Sequence, residues 1–211
     1  MSIIDVPITH YIEKHIVTQY GQFDRAHNLD HVRRVIQNSF EIAKDYLVNL
    51  NMVYVVAAYH DIGLLKGRKD HEKNSAVFLL ADKKLRDWFS QDEINIMAQA
   101  VEDHRASSDH EPRSIYGKII ADADNDLEYF SVLTRCVQHG LAYFPHYDQD
   151  THFDRVIEHL TEKYGEGGYL HTWLNSEHDR RGLSEIRNKL ASDLKGLRAD
   201  FDKIMKLEGS K

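Results

Sequence analysis

Eight consecutive apolar residues, Met52-Val53-Tyr54-Val55-Val56-Ala57-Ala58-Tyr59, run directly into His60-Asp61 and then Ile62-Gly63. A segment without a solvent-facing side belongs in a core, and this one is far shorter than the roughly 20 apolar residues that span a bilayer. Its β-branched members would also suit a buried strand. No other segment offers a convincing strand partner. A lone strand would leave its backbone groups unsatisfied, whereas a helix satisfies its own. The run therefore predicts a central buried helix, ended by Gly63, with further helices around it.

Those helices are legible in the flanking periodicity. Val32, Val35, Ile36, Phe40, Ala43 and Leu47 recur at three- and four-residue steps between Asp30 and Leu50, which predicts an amphipathic helix with His31 in its first turn. Another helix is expected from about His71 to Leu85. Ser90-Gln91-Asp92-Glu93 has the capping-box pattern and opens a helix through Val101 toward His104. Ile115 to about Cys136 continues in the same style. Gln138 to Thr151 reads as a polar, aromatic and histidine-rich connection, and Phe153 to Tyr164 as a helix broken by Gly165-Glu166-Gly167-Gly168. Leu183, Ile186, Leu190, Leu194, Leu197, Phe201 and Ile204 predict one long C-terminal helix lying across the others. The expectation is an all-α fold: a single domain over 1–211, with a motif-bearing core at about 20–135 and a helical accessory region at about 150–207.

Composition narrows the function classes. A formal charge of −7 argues against a nucleic-acid surface, which needs a basic face to neutralise phosphates. Cys136 is the only cysteine, so an intramolecular disulfide and a cysteine-based zinc site are both excluded, and a reducing compartment is expected. Met1-Ser2-Ile3-Ile4-Asp5 has no basic segment followed by an apolar stretch; a cytoplasmic protein without a membrane partner is expected. The 14 histidines are the unusual feature.

Several of them sit where a metal would want them. A divalent cation that activates water needs imidazole and carboxylate ligands on rigid elements with an open coordination position. His60 and Asp61 close a buried helix, where an unpaired ionisable pair would be costly and a cation satisfies both groups. Asp30-His31 opens a helix, Asp103-His104-Arg105 closes one, and Ala121-Asp122-Ala123-Asp124-Asn125-Asp126 sets carboxylates in an apolar helical stretch.

In this order (His, His-Asp, His, Asp) the chain resembles the HD-domain metal-dependent phosphohydrolase superfamily. The resemblance extends over Ala26-His27-Asn28-Leu29-Asp30-His31-Val32-Arg33-Arg34-Val35, Ala58-Tyr59-His60-Asp61-Ile62-Gly63, Val101-Glu102-Asp103-His104-Arg105 and Ile120-Ala121-Asp122-Ala123-Asp124. It implies His31, His60, Asp61 and Asp124 as ligands of one divalent ion, with Asp61 also orienting or deprotonating water. Asp122 and Asp126 remain alternatives to Asp124. Manganese, magnesium, zinc, iron, nickel and cobalt all suit two imidazoles and two carboxylates. His71 and His104 are candidates for a second ion, although the paired histidines of binuclear relatives are missing. The implied reaction is hydrolysis of a phosphate ester or phosphoanhydride in a small substrate, most commonly a nucleotide.

Arg34, Lys66, Arg68, Arg105 and Arg113 flank these positions and could meet a phosphoryl group. Arg105 is favoured because it directly follows His104, and both join Asp61 as candidate catalytic residues. His27 could line the cleft. His139, Tyr143, Phe144, His146, Tyr147 and His152 lack a ligand spacing and are assigned to a connection. Two alternatives stay open: a di-iron oxygenase on a related scaffold, and a non-catalytic signalling module. A homo-oligomer is compatible with a long C-terminal helix.

Overall fold

The computed structural model describes residues 5–24, 27–105 and 110–209, and the described chain is helical, without a strand. Ala26, at the head of the first motif, and residues 1–4 lie outside it. The described residues form two compact units. One runs to Asn125 and takes back Thr172–Ser176; the other starts at Asp126 and resumes at Glu177. Each unit has its own apolar core.

The first unit contains α1 (Val6–His15), α2 (Leu29–Ala43), α3 (Leu50–Tyr59), α4 (His71–Ala81), α5 (Gln91–Glu102) and α6 (Ile115–Asp124), with 3-10 turns at Val17–Gln22, Ile62–Lys66 and Lys83–Asp87. The apolar run is α3, and it packs against all five other helices of the unit. Every residue from Met52 to Tyr59 is 3% exposed or less. Full burial of a Val or Met side chain is worth about 1.5–3 kcal/mol, so this helix supplies much of the drive that gathers the others around it. Asn28 caps α2 by accepting the backbone N–H groups of Asp30 and His31, and Ser90 and Glu93 form the expected reciprocal box on α5. α1 has only a weak apolar pattern; Pro7 in its first turn is the local signal for it.

Several boundaries differ from the sequence expectation, each for a local reason. The stripe from Val32 to Leu47 overruns its helix: α2 ends at Ala43, Leu47 is fully exposed, and Asn49 takes extended backbone to cap α3 through the Asn51 N–H. Gly63 does not terminate α3. It lies within the following 3-10 turn, which Gly67 closes at φ 103. The stretch from His71 to Leu85 is split at Asp82. That carboxylate caps the next turn through the Lys84 N–H and accepts the hydroxyls of Tyr11 and Tyr59 at 2.8 and 2.5 Å.

The second unit contains α7 (Tyr129–Tyr143), α8 (Gln149–Tyr164), α9 (Glu177–Ser192) and α10 (Leu194–Glu208). The expected helix from Ile115 to Cys136 is therefore two helices, α6 and α7, with Glu128 capping the second. α7 also absorbs the first half of the histidine-rich stretch, leaving a short connection before Asp148 caps α8. The single long C-terminal helix is broken at Asp193, whose carboxylate accepts the Gly196 N–H, and Leu194 is half exposed rather than part of a continuous apolar stripe. Among the described residues, no helix is long and apolar enough to cross a membrane.

Candidate metal centre

The end of α3 delivers His60 and Asp61 into the interior of the first unit, 0% and 3% exposed. Tyr20 grips this turn: its hydroxyl donates to the Ala58 carbonyl at 3.0 Å and accepts the Asp61 N–H at 3.1 Å. The first turn of α2 supplies His31, and the C-terminal end of α6 supplies Asp124. His31 Nε2 lies 3.0 Å from His60 Nε2 and 3.3 Å from Asp124 Oδ1, and His60 Nε2 is 3.8 Å from the same oxygen. Ligand atoms about 2.1 Å from an ion sit about 3.0–3.4 Å apart at tetrahedral to right angles. Two of the three distances fall in that range and the third, 3.8 Å, is somewhat wider, so these side chains form a group that could hold a cation.

Asp61 faces both ways. Its Oδ2 is 3.2 Å from His60 Nε2 and 3.4 Å from His31 Nε2, whereas its Oδ1 is 3.2 Å from His71 Nε2 and 3.5 Å from His104 Nε2. Asp61, His71 and His104 thus form a second donor group beside His31, His60 and Asp124. His71 opens α4, and its approach depends on Gly63, because a Cβ there would stand 2.1 Å from the His71 carbonyl oxygen.

Three of the imidazoles are held alike. His60 Nδ1 donates to the Ala57 carbonyl at 2.7 Å, His104 Nδ1 to the Val101 carbonyl at 2.6 Å, and His71 Nδ1 to the Arg68 carbonyl at 3.2 Å. A ring that donates from Nδ1 keeps its Nε2 lone pair for a metal. Without a cation, the carboxylates favour protons on His31 and His104 instead. Burial disfavours charge on His31, but hydrogen bonds to Asp124 and Asp61 outweigh it and raise its pKa to about 9. His104 is raised by the same balance of burial against Asp61. Burial would raise both carboxyls, yet the surrounding histidines hold Asp61 and Asp124 well below the usual carboxylate range.

The three neighbouring aspartates separate cleanly. Asp122 is fully buried and accepts the backbone N–H groups of Trp173 and Leu174 at 2.8 Å each, fastening Thr172–Ser176 to the first unit. Asp126 accepts the Ser131 hydroxyl at 2.5 Å and pairs with Arg135. Asp124 is the one grouped with His31 and His60. Asp122→Ala strands two backbone donors and is expected to cost about 2–4 kcal/mol. A urea midpoint measures that loss, and metal affinity should stay near wild type; Asp124→Ala should give the opposite pattern.

The cations flanking the motifs divide in the same way. Arg113 is committed to Asp103 and Glu102, Arg68 pairs with Asp24 at 3.3 Å, and Lys66 sits 5.0 Å over the Phe78 ring. Arg34 Nη2 is 3.4 Å from His31 Nδ1. Arg105 is half exposed, with Nη1 3.7 Å from Glu72. His27 pairs with Asp24 at 2.7 Å, with its ring 5.9 Å from that of His31. Glu72 was not legible from its charged surroundings in sequence: it is buried, 3.3 Å from His71 Nδ1, with Oε2 lacking a hydrogen-bond partner.

Residues 28–127 match the family model described as the HD domain. These residues form an HD domain. The match begins at the Asn28 cap of α2 and ends just beyond Asp124, so it encloses both donor groups. The crystal structure of a predicted HD superfamily hydrolase from an uncultured Thermotogales bacterium is similar in fold, with a TM-score of 0.57 and 21% identity over 91% of this chain and 92% of that one. No curated protein sequence matches the chain. Beyond the HD domain, α8 to α10 are the helical extension expected from the sequence.

Proposed function

We propose that the HD domain is a metal-dependent phosphohydrolase acting on a small phosphorylated substrate, with a nucleotide as the expected class. The observation that carries the reading is Asp61, whose two carboxylate oxygens are shared between two histidine-bearing donor groups. Under this reading His31, His60, Asp61 and Asp124 hold one divalent cation. A cation held there would supply a water of lowered pKa and a charge to polarise a phosphoryl oxygen. Asp61, ionised and acceptor-only, orients the attacking water and takes up its proton. Arg105, half exposed and one residue beyond His104, meets the phosphoryl group and stabilises its developing charge. Arg105 would exchange the 3.7 Å approach to Glu72 for that contact.

A second ion is favoured by a specific observation: His71 and His104 present Nε2 to the Asp61 oxygen that faces away from the first group. Under this reading His71, opening α4, and His104, in the turn after α5, take the place of the paired histidines missing from the sequence. The domain is expected to function without a nucleic-acid or membrane partner.

The test is a screen of purified protein, loaded in turn with manganese, magnesium, zinc, iron, nickel and cobalt, against mono-, di-, tri- and cyclic nucleotides. Phosphate or pyrophosphate release that depends on metal, with Asp124→Ala reducing it at least about a hundredfold, is the expected result. Metal analysis reads the stoichiometry, and His71→Ala should remove one ion where two are found. Two irons per chain after anaerobic purification, with no hydrolysis of any nucleotide, would identify an oxygenase instead.

A further inference from the structure

The second unit contains a concentrated positive patch in a chain whose formal charge is −7. The histidine-rich stretch after Cys136 has no ligand spacing of its own; what the fold adds is the helix beside it. Arg135, Cys136 and His139 share one face of α7, while Arg155, His159 and Lys163 repeat every four residues along α8. A four-residue step turns a helix by only about 40° beyond a full circle, so the α8 trio forms a stripe. The two faces line one cavity of about 370 Å³, to which Val132 and Tyr164 add apolar wall. No carboxylate lines it. That volume lies at the lower end of small-molecule sites, which span about 300–1,000 Å³.

Arg155 is the anchor of the cavity. Its Nη2 donates to the Cys136 carbonyl, and its guanidinium carbon stands 5.8 Å over the Phe144 ring. Its Nε is buried without a hydrogen-bond partner. Gly140 leaves space for this arrangement, since a Cβ there would come within 2.6 Å of Arg155 Nη2. A buried guanidinium N–H without an acceptor is costly, and an anion is the acceptor it binds most strongly. Arg135 is matched by Asp126 at 3.2 Å, and Lys163 lies 5.0 Å over the Tyr164 ring. Burial, followed by the charges of Lys163, Arg155, His139 and Arg135, lowers the His159 pKa, which reports a positive local field.

We propose that this cavity binds a small phosphorylated anion, its phosphate or diphosphate group held between Arg155 and Lys163. A phosphate group suits two cations on one stripe better than a carboxylate does, because it brings more charge and a third acceptor oxygen. The site is separate in residues from the metal centre and does not depend on the activity proposed for it.

The test is a titration of the full chain, kept metal-free with a chelator, with inorganic phosphate and then inorganic pyrophosphate, following the Arg155 Nε–H and His159 ring resonances by NMR. Saturable shifts are expected from both anions, with pyrophosphate the tighter. Lys163→Gln, a change at a partly exposed side chain, should weaken binding about tenfold, the size of one charge-assisted hydrogen bond. Arg155→Lys keeps the charge but loses the fork, and should weaken it further. Asp61→Ala should leave these shifts unchanged. The proposal is overturned if no saturable shift is seen up to about 10 mM anion. It is overturned equally if sodium chloride at matched ionic strength gives the same shifts, if both α8 variants bind as wild type, or if Asp61→Ala abolishes the shifts.

Discussion

Asp61→Ala is expected to reduce metal-dependent hydrolysis by about a thousandfold or more, equivalent to roughly 4 kcal/mol of lost transition-state stabilisation. The expectation follows from where its two oxygens lie. Oδ2 is within 3.4 Å of the ring nitrogens of His31 and His60, and Oδ1 within 3.5 Å of those of His71 and His104. Removing the carboxylate takes a donor from both groups and also removes the base that would receive a proton from water. Metal analysis should therefore show a fall in bound ion together with the loss of rate. Asp61→Asn keeps a donor oxygen but not the basicity, so it should retain more metal than Asp61→Ala while remaining nearly as slow. A variant at Asp61 that hydrolysed the wild-type substrate at the wild-type rate would remove this residue from the proposed mechanism.

Gly63→Ala is the second substitution with a large expected effect, and it acts through the backbone. The added Cβ would fall 2.1 Å from the His71 carbonyl oxygen and 2.5 Å from the Ser75 nitrogen, both main-chain atoms of α4 that cannot rotate away. The helix must move, and Gly63 would also lose the 2.8 Å hydrogen bond from its N–H to the Ser75 hydroxyl. A destabilisation of about 3 kcal/mol or more is expected, in the range of severe overpacking, and a drop in Tm of about 10 °C. His71 travels with α4. Metal affinity should consequently fall more for the second donor group than for His31, His60 and Asp124, and titration of the folded variant can separate the two. Gly67→Ala is the comparison: its Cβ would meet nothing within 4 Å, so its cost of about 1–3 kcal/mol comes from backbone strain at φ 103 and ψ 170, with no atom of α4 pushed aside and metal affinity expected to hold.

How much of this could be read from the sequence varied with the kind of signal. The buried helix and its terminal His60-Asp61 were legible because eight apolar residues in a row admit few other arrangements, and the α5 start because a capping box is a local interaction. Helix ends set by one polar side chain were not. Asn49, Asp82 and Asp193 each interrupt a stripe whose apolar spacing continues across the break, so periodicity alone ran through them. The choice among Asp122, Asp124 and Asp126 rests on partners distant in sequence, such as Trp173 for Asp122. Glu72 and the convergence of His71 with His104 are likewise products of packing between α4 and α5. The basic cavity was hidden for a similar reason, since Arg155, His159 and Lys163 lie on α8 and meet Arg135 and His139 only through packing against α7.

The three carbonyl-held histidines have a further consequence. His60, His71 and His104 each donate to the main chain three residues upstream, and no point substitution at a supporting residue can delete that carbonyl; at His71 the Glu72 carboxylate also lies 3.3 Å from the same nitrogen. Carboxylate partners, where they perform this task, raise the basicity of the ring and give selection a means of adjusting it. A neutral carbonyl offers no such adjustment. At His60 and His104 the metal preference would have to change through the ligands themselves, whereas at His71 it could also change through Glu72, and the orientation of the rings would survive as long as the local turns that present them.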